Sequence, residues 1–364
     1  MLLHYYRGSF IFTAICLALG GWLGWSLTGN VLGTLGILWI VVVLGVLETS
    51  LSFDNAVVNA TVLRDMTPVW RQRFLTWGIL IAVFGMRIVF PLAIVAIAAS
   101  LGPIEAIKLA ATEPLTYERI IREAHTGIAG FGGAFLAMVG LTFFLDEEKD
   151  VHWIGVVERP IAGLSHISGL ALGIVLLILY AISRTLAPAE AMTFLVSGIF
   201  GLLTFTGVEI FNGLVERIGG GGEERDAGSG GAAVSAARAG IGGFLYLEVL
   251  DASFSFDGVI GAFALSNNLF IIALGLGIGA MFVRSMTVML VERGTLTEYK
   301  FLEHGAFYAI IALAAIMLLS ARFHIPETIT GLIGAVLIGL AFWASVRSNR
   351  AEAEPIAPTG ERLV

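Results

Sequence analysis

Charge is scarce in this chain. Asp, Glu, Lys and Arg together make up 13% of its 364 residues, about half the share of a soluble domain. No basic stripe interrupts the apolar sequence, which argues against a nucleic-acid partner. Cysteine is nearly absent: Cys16 stands alone, so no intrachain disulfide can form, and its apolar surroundings make it a small packing residue. The net charge of −7 is spread over loops and two short motifs, so it does not single out a partner either. What the chain has in quantity is apolar sequence, 57% of residues with a mean hydropathy of +0.90. Long apolar runs recur from Phe10 to Val346, the pattern of a polytopic membrane protein.

The fold class implied is all-α, a transmembrane bundle of ten spans near residues 10–28, 32–60, 74–98, 126–145, 161–182, 191–213, 236–265, 269–290, 305–320 and 327–346. Residues 1–31 form a first helix. It is expected to be retained, because Phe10–Leu27 is long for a signal sequence and lacks a small-x-small cleavage site. Residues 32–146 make a first repeat and 147–218 connecting helices. The tract Gly219–Gly231 (GGGGEERDAGSGG) is a flexible linker. A second repeat takes 232–322, a last helix 323–346 and a tail 347–364. The loop from Ser100 to Glu123, mixed in charge and partly amphipathic, is expected along the outer surface. With the N-terminus cytoplasmic, fourteen Lys and Arg fall on the inner side and five on the outer. The positive-inside rule then places both termini in the cytoplasm.

Two copies of one acidic motif lie in this apolar sequence. The first is Glu48-Thr49-Ser50-Leu51-Ser52-Phe53-Asp54-Asn55; the second, 203 residues on, is Asp251-Ala252-Ser253-Phe254-Ser255-Phe256-Asp257-Gly258. One carboxylate inside a membrane span costs about 2.5–3.5 kcal/mol. Four or five cost on the order of 10 kcal/mol unless paired, protonated or bound to a cation. Placed twice in matching positions, they read as a cation site between two repeats. Five crossings separate the motifs, so their helices run in opposite directions, an inverted repeat of three helices each. Arg87 and Arg284 follow in the next spans, 33 residues after Asp54 and 27 after Asp257. They are expected to balance the acids, with snorkelling toward a helix end as the alternative.

On a helix, Glu48, Ser52, Asn55 and Asn59 form one stripe, and Asp251 and Ser255 take the equivalent places in the second copy. Asp54 with Ser50, and Asp257 with Ser253, form a second stripe. A local unwinding near the serines would let one ion see both. Oxygen ligands without cysteine or histidine suit Mn²⁺, Mg²⁺ or Ca²⁺ better than Zn²⁺ or Cu⁺. If the acids are protonated whenever the ion is absent, proton countertransport follows. Glu248, one turn before Asp251, is an auxiliary candidate with Ser52 and Ser255. His125 and His304 each open a span after a glutamate, Glu123 and Glu303, and are expected at the interface, with a gating role as the alternative. His166 and Glu209 are likewise interfacial. Paired glycines such as Gly20/Gly24 and Gly275/Gly279 are general packing devices. The acids could instead simply tie helices together. An intramembrane aspartyl protease fits poorly, since both aspartates follow Ser-Phe rather than Gly-x-Gly and the outer acids have no place in that mechanism. No enzyme is expected.

At these motifs the chain resembles the TerC family of bacterial integral membrane proteins, within the LysE-type transporter superfamily. Leu47-Glu48-x-x-Leu51-Ser52-x-Asp54-Asn55 is similar to one family signature. Glu248, Asp251, Phe254 and Asp257 are similar to another, and Arg284 falls where the family has an arginine. The resemblance covers spans two to four and seven to nine, about half the chain. Gly258 stands where the family usually has serine, and the outer loop and glycine linker mark a longer subgroup. The resemblance implies divalent metal efflux across the bacterial inner membrane, manganese first, with Glu48, Asp54, Asn55, Asp251 and Asp257 as ligands. The ion is cargo, with protons as partner and no resident cofactor. A calcium/proton exchanger, or a scaffold with a structural metal site that helps insert or metallate other membrane proteins, is the alternative. The tellurium link in the family's name does not follow from these residues, nor does an oligomeric state.

Overall fold

The computed structural model describes residues 2–78, 80–146, 151–167, 169–218, 240–323 and 325–353, and does not extend to the side chains of Phe256 and Asp257. The Gly219–Gly231 linker and the tail beyond residue 353 lie outside the described residues. Those described form fifteen α-helices and two π-helical stretches, with no strand among them. Helix α1 (Leu2–Thr28) turns into α2 (Val31–Leu51) through Gly29, whose φ of +63° suits glycine, and Asn30, whose side-chain oxygen accepts from the Gly33 N–H at 2.8 Å. The chain continues through α3 (Phe53–Asp65), α4 (Pro68–Arg73), the π-helical stretches π1 (Phe74–Gly78) and π2 (Ile81–Val89), and α5 (Phe90–Ala98). Next come α6 (Pro103–Thr112), α7 (Pro114–Phe144), α8 (Gly155–Ala162), α9 (Leu170–Ser183) and α10 (Pro188–Ile218). The last group is α11 (Ile241–Ala262), α12 (Leu269–Glu292), α13 (Thr295–Glu298), α14 (Leu302–Ser320) and α15 (Glu327–Ala353).

Eight segments of the described residues are long and apolar enough to cross a membrane, so this is a multi-pass membrane protein. They are His4–Thr28, Val31–Leu51, Ile81–Ala98, Pro114–Phe144, Pro188–Phe211, Leu269–Glu292, Leu302–Ser320 and Ile329–Ala351. The other two of the ten expected spans are helical but atypical. Helix α9 has 14 residues, about 21 Å at 1.5 Å per residue, short of a hydrocarbon core of about 30 Å. Helix α11 has 22 residues, but every 18-residue stretch of it contains Glu248, Asp251 and Asp257. The expected outer loop from Ser100 to Glu123 is instead α6 and the first turns of α7. Pro103 and Pro114 start those helices from positions where no N–H is needed, and Glu105 reaches back to the Gly102 N–H at 2.8 Å. Tyr117 and Ile121 on this segment are fully buried.

In a bilayer, apolar burial gives little drive for helix association; close packing supplies it. Accordingly Trp22, Leu32, Trp39 and Trp343 are exposed around the outside, while glycines line the inner crossings. A Cβ on Gly130 of α7 would lie 2.6 Å from the Phe194 carbonyl of α10. On the α14 side, a Cβ on Gly132 would meet the terminal methyl of Met317 at 2.6 Å, and one on Gly133 would meet Leu318 at 2.7 Å. The rings of Phe143 and Phe307 stack at 3.7 Å, so α7 and α14 are antiparallel. Helices α2 and α12 run in the same direction, Gly275 lying on Leu44 and Gly279 on Glu48. The two motif helices run oppositely: Glu48 lies beside Gly258, and Asn59 bonds Asp251.

Candidate functional site

The 32–60 segment is one apolar run in sequence but two helices in structure, divided at Ser52 (φ −98°, ψ 24°). The interruption is slight: the Ser52 N–H still reaches the Glu48 carbonyl at 3.0 Å, and the Ala56 N–H reaches the Ser52 carbonyl at 3.3 Å. It sets Asp54 in the first turn of α3, where the partial positive charge of a helix N-terminus favours a carboxylate. Helix α11, bearing the second motif, is continuous.

The two stripes part company. Glu48, Ser52, Asn55 and Asn59 all line one small cavity, joined from α11 by Asp251 and Ser255, from π2 by Ala82 and Arg87, and from α12 by Ala280, Val283, Arg284 and Thr287. Its volume is about 30 Å³, room for one dehydrated ion or a water or two. The second stripe turns away. Asp54 is buried against α15, where a Cβ on Gly334 would lie 2.8 Å from Asp54 Oδ2. Ser253 donates to the Val249 carbonyl at 3.0 Å and faces α7 near Gly132. Of the acids expected to ligate, Glu48 and Asp251 therefore meet at the cavity, with Asn55. Asp54 does not line it, and the side chain of Asp257 lies outside the described residues.

Both arginines are buried, not snorkelling: Arg87 is 6% exposed and Arg284 5%. Arg87 donates Nη2 to Glu48 Oε1 and Nη1 to the Ala82 carbonyl five residues back, across a π-turn. Arg284 donates to the Phe74 carbonyl and lays its guanidinium 3.4 Å from the centre of the Phe74 ring, within electrostatic reach of Asp251 and Glu248. Glu248 is buried beside Gly78 of π1, with neither carboxylate oxygen hydrogen-bonded among the described residues. Asp251 accepts from Asn59 Nδ2 at 2.8 Å. The cavity lining holds two carboxylates and two guanidinium groups, balanced in charge. Four lining atoms are nonetheless buried without a hydrogen-bond partner among the described residues: Asn59 Oδ1, Ser255 Oγ, Arg87 Nε and Arg284 Nε. Such orphans are rare in settled interiors and mark where a ligand or water fits. Among the described residues, no three of His, Cys, Asp and Glu converge as they do around a metal ion.

Two participants, Gly279 and Thr287, take roles that a sequence reading does not reach, and Asn59 takes on a contact beyond its place in the stripe. Asn59 belongs to the first stripe, but its bond to Asp251 ties the two motifs together. Gly279 admits the stem of Glu48: a Cβ there would collide with Glu48 Cβ and Cγ. Thr287, one turn past Arg284, adds a wall to the cavity. The histidines sit apart. His304 is buried, not interfacial, with Nε2 2.7 Å from the Val151 carbonyl and 3.5 Å from the Glu158 carboxylate. His125 lies 3.5 Å from Ser320 Oγ, at the other end of the α7/α14 pair.

No curated protein and no solved structure matches the chain. A family match covers residues 53–352, taking in Asp54, Arg87, the whole second motif and Arg284, and beginning just past Glu48. Spanning most of the chain, it shows that the protein belongs to the family described as "Protein of unknown function (DUF475)".

Proposed function

We propose that the protein is a transporter that exports a divalent metal cation, manganese first, from the bacterial cytoplasm in exchange for protons. The observation that carries this reading is the cavity between the motifs. Glu48 and Asp251 face it from α2 and α11, and Asn59 Oδ1 and Ser255 Oγ stand there without partners. Two carboxylates and a surround of neutral amide and hydroxyl oxygens suit a hard cation such as Mn²⁺ or Ca²⁺. The resemblance of both motifs to the TerC family signatures supports it further. So does reciprocal packing, which fits an inverted repeat: α2 lies on α12, α7 on α14, and the motif helices oppose each other. A polar site at the junction of opposed halves, on an interrupted helix, is what alternating access uses.

A second reading draws on the Glu48–Arg87 pair and the Asp251–Asn59 bond. Acids answered within the protein can serve as a static network that fixes helix packing, or as a structural metal site in a scaffold. Purified protein in liposomes carrying an internal pH dye separates the two. Mn²⁺ entry with opposing proton movement, lost in the Glu48→Gln/Asp251→Asn double variant, is the expected result. Binding without flux favours the scaffold, neither favours the packing network, and flux of Ca²⁺ in place of Mn²⁺ renames the cargo.

A further inference from the structure

Glu48 is the one cavity carboxylate ion-paired to a side chain of its own half, and the manner of that pairing bears on how a cation could enter. Arg87 takes Oε1 of Glu48, and both groups are buried. The other oxygen, Oε2, faces Gly258 across the motif junction, 3.0 Å from where a Cβ would stand. The lining is electrically balanced as it is. A divalent ion on Glu48 would sit directly beside the guanidinium that already holds the same carboxylate. Like charges would face each other there in a poorly screened interior.

Arg87 also has somewhere to go. It sits on π2, nine residues of π-helix that carry one residue more per hydrogen-bonded turn than an α-helix. Reverting such a turn to α-geometry rotates every side chain beyond it. The Nε of Arg87 is buried without a partner, so its present position is not fully satisfied. Arg284, by contrast, is anchored to the Phe74 carbonyl and ring rather than hydrogen-bonded to a carboxylate.

We propose that Arg87 is a tethered stand-in for the cargo: its guanidinium and the divalent cation are alternative occupants of Glu48, and binding of the ion requires Arg87 to leave. This rests on the transport reading and gives it a definite consequence. The empty site is neutralised at Glu48 by the protein itself, through the Arg87 ion pair.

The test is equilibrium binding of Mn²⁺ to purified full-length protein in detergent, read by the loss of the free-ion electron paramagnetic resonance signal. Competition predicts that Arg87→Gln lowers the Kd by about tenfold or more, because the internal competitor is gone. Arg87→Lys, which keeps the charge, should stay near the wild type. The Glu48→Gln/Arg87→Gln double variant should lose the gain. Thermal melts without metal identify any variant that has failed to fold, and Arg87→Lys then carries the comparison, since weaker binding there than in the wild type contradicts the idea. Wild-type binding with an unchanged or higher Kd in folded Arg87→Gln overturns the competition and leaves the transport reading standing. No binding by any of these proteins overturns both.

Discussion

At the scale of single residues, the site depends on atoms that are missing as much as on those present. Gly279 has no side chain because the stem of Glu48 occupies its place. Gly279→Ala should push Glu48 off the cavity, costing about 1–3 kcal/mol of stability as overpacking does. The check is a lower melting temperature together with weakened Mn²⁺ binding. Asn59→Ala removes the donor held by Asp251 and leaves a half-buried carboxylate oxygen unanswered, about 1 kcal/mol. Saturating Mn²⁺ should recover part of the lost melting temperature if the ion takes over that oxygen. Much of this level was legible in the sequence. The stripe Glu48, Ser52, Asn55, Asn59 needs only the helical repeat, and all four residues line the cavity. Gly279 could not be found that way, because its meaning lies in a partner helix more than 200 residues away. Asp54 stands outside the cavity for a related reason. It shares the motif with Glu48, yet its own stripe is set off round the helix and meets Gly334 of α15 instead.

At the scale of elements, the informative parts are the irregular ones. The π-helical stretches between Phe74 and Val89 hold Arg87 and the carbonyl that receives Arg284. A reading at 100° per residue cannot place Arg87, because each π-turn takes up an extra residue. The break at Ser52 is equally silent in a run that stays apolar on both sides. Helix α3, short and bearing Asn59, is held at its C-terminal end by one side chain. Arg71 donates to the carbonyls of Leu63, Arg64 and Met66, at 3.1, 2.9 and 3.3 Å, filling acceptors that a helix end leaves open. Arg71→Ala should lose about 1.5–3 kcal/mol, visible in the thermal melt. Arg71→Lys should recover little of it, since an ammonium lacks the planar fork that spans several carbonyls. Hydrogen exchange should then rise first at the C-terminal end of α3. Had Arg71→Ala melted like the wild type, the cap would be incidental to α3.

At the scale of the whole molecule, the count of positive charge predicts that both chain ends lie on one face. In a Cys16→Ser background, a cysteine at Arg350 should label with a membrane-impermeant maleimide only in inside-out vesicles, and one at Thr185 only in right-side-out vesicles. Both positions are exposed. Labelling of the two from the same side would mean that α11 does not cross, and the reversed pattern, with Thr185 inside and Arg350 outside, would mean that α9 does not. The multi-pass character and all-helical class were plain from composition. The number of crossings was less so, because α9 is short for its apolarity and α11 trades apolarity for its acids.

The glycine crossings set a mechanical condition. Helix α7 is keyed to α14 through Gly132 and Gly133, and to α10 through Gly130. Helix α2 is keyed to α12 through Gly45, Gly275 and Gly279. Each of the pairs α7/α14 and α2/α12 joins a helix from the first half of the chain to one from the second. Keyed helices do not slide past one another without lifting apart, so the two sequence halves cannot rock as separate blocks. On the transport reading proposed above, α2 and α12 would move as one shuttle against a frame of α7, α10 and α14. The cavity, lined from α2, α3, π2, α11 and α12, would then lie where the shuttle meets α3, π2 and α11.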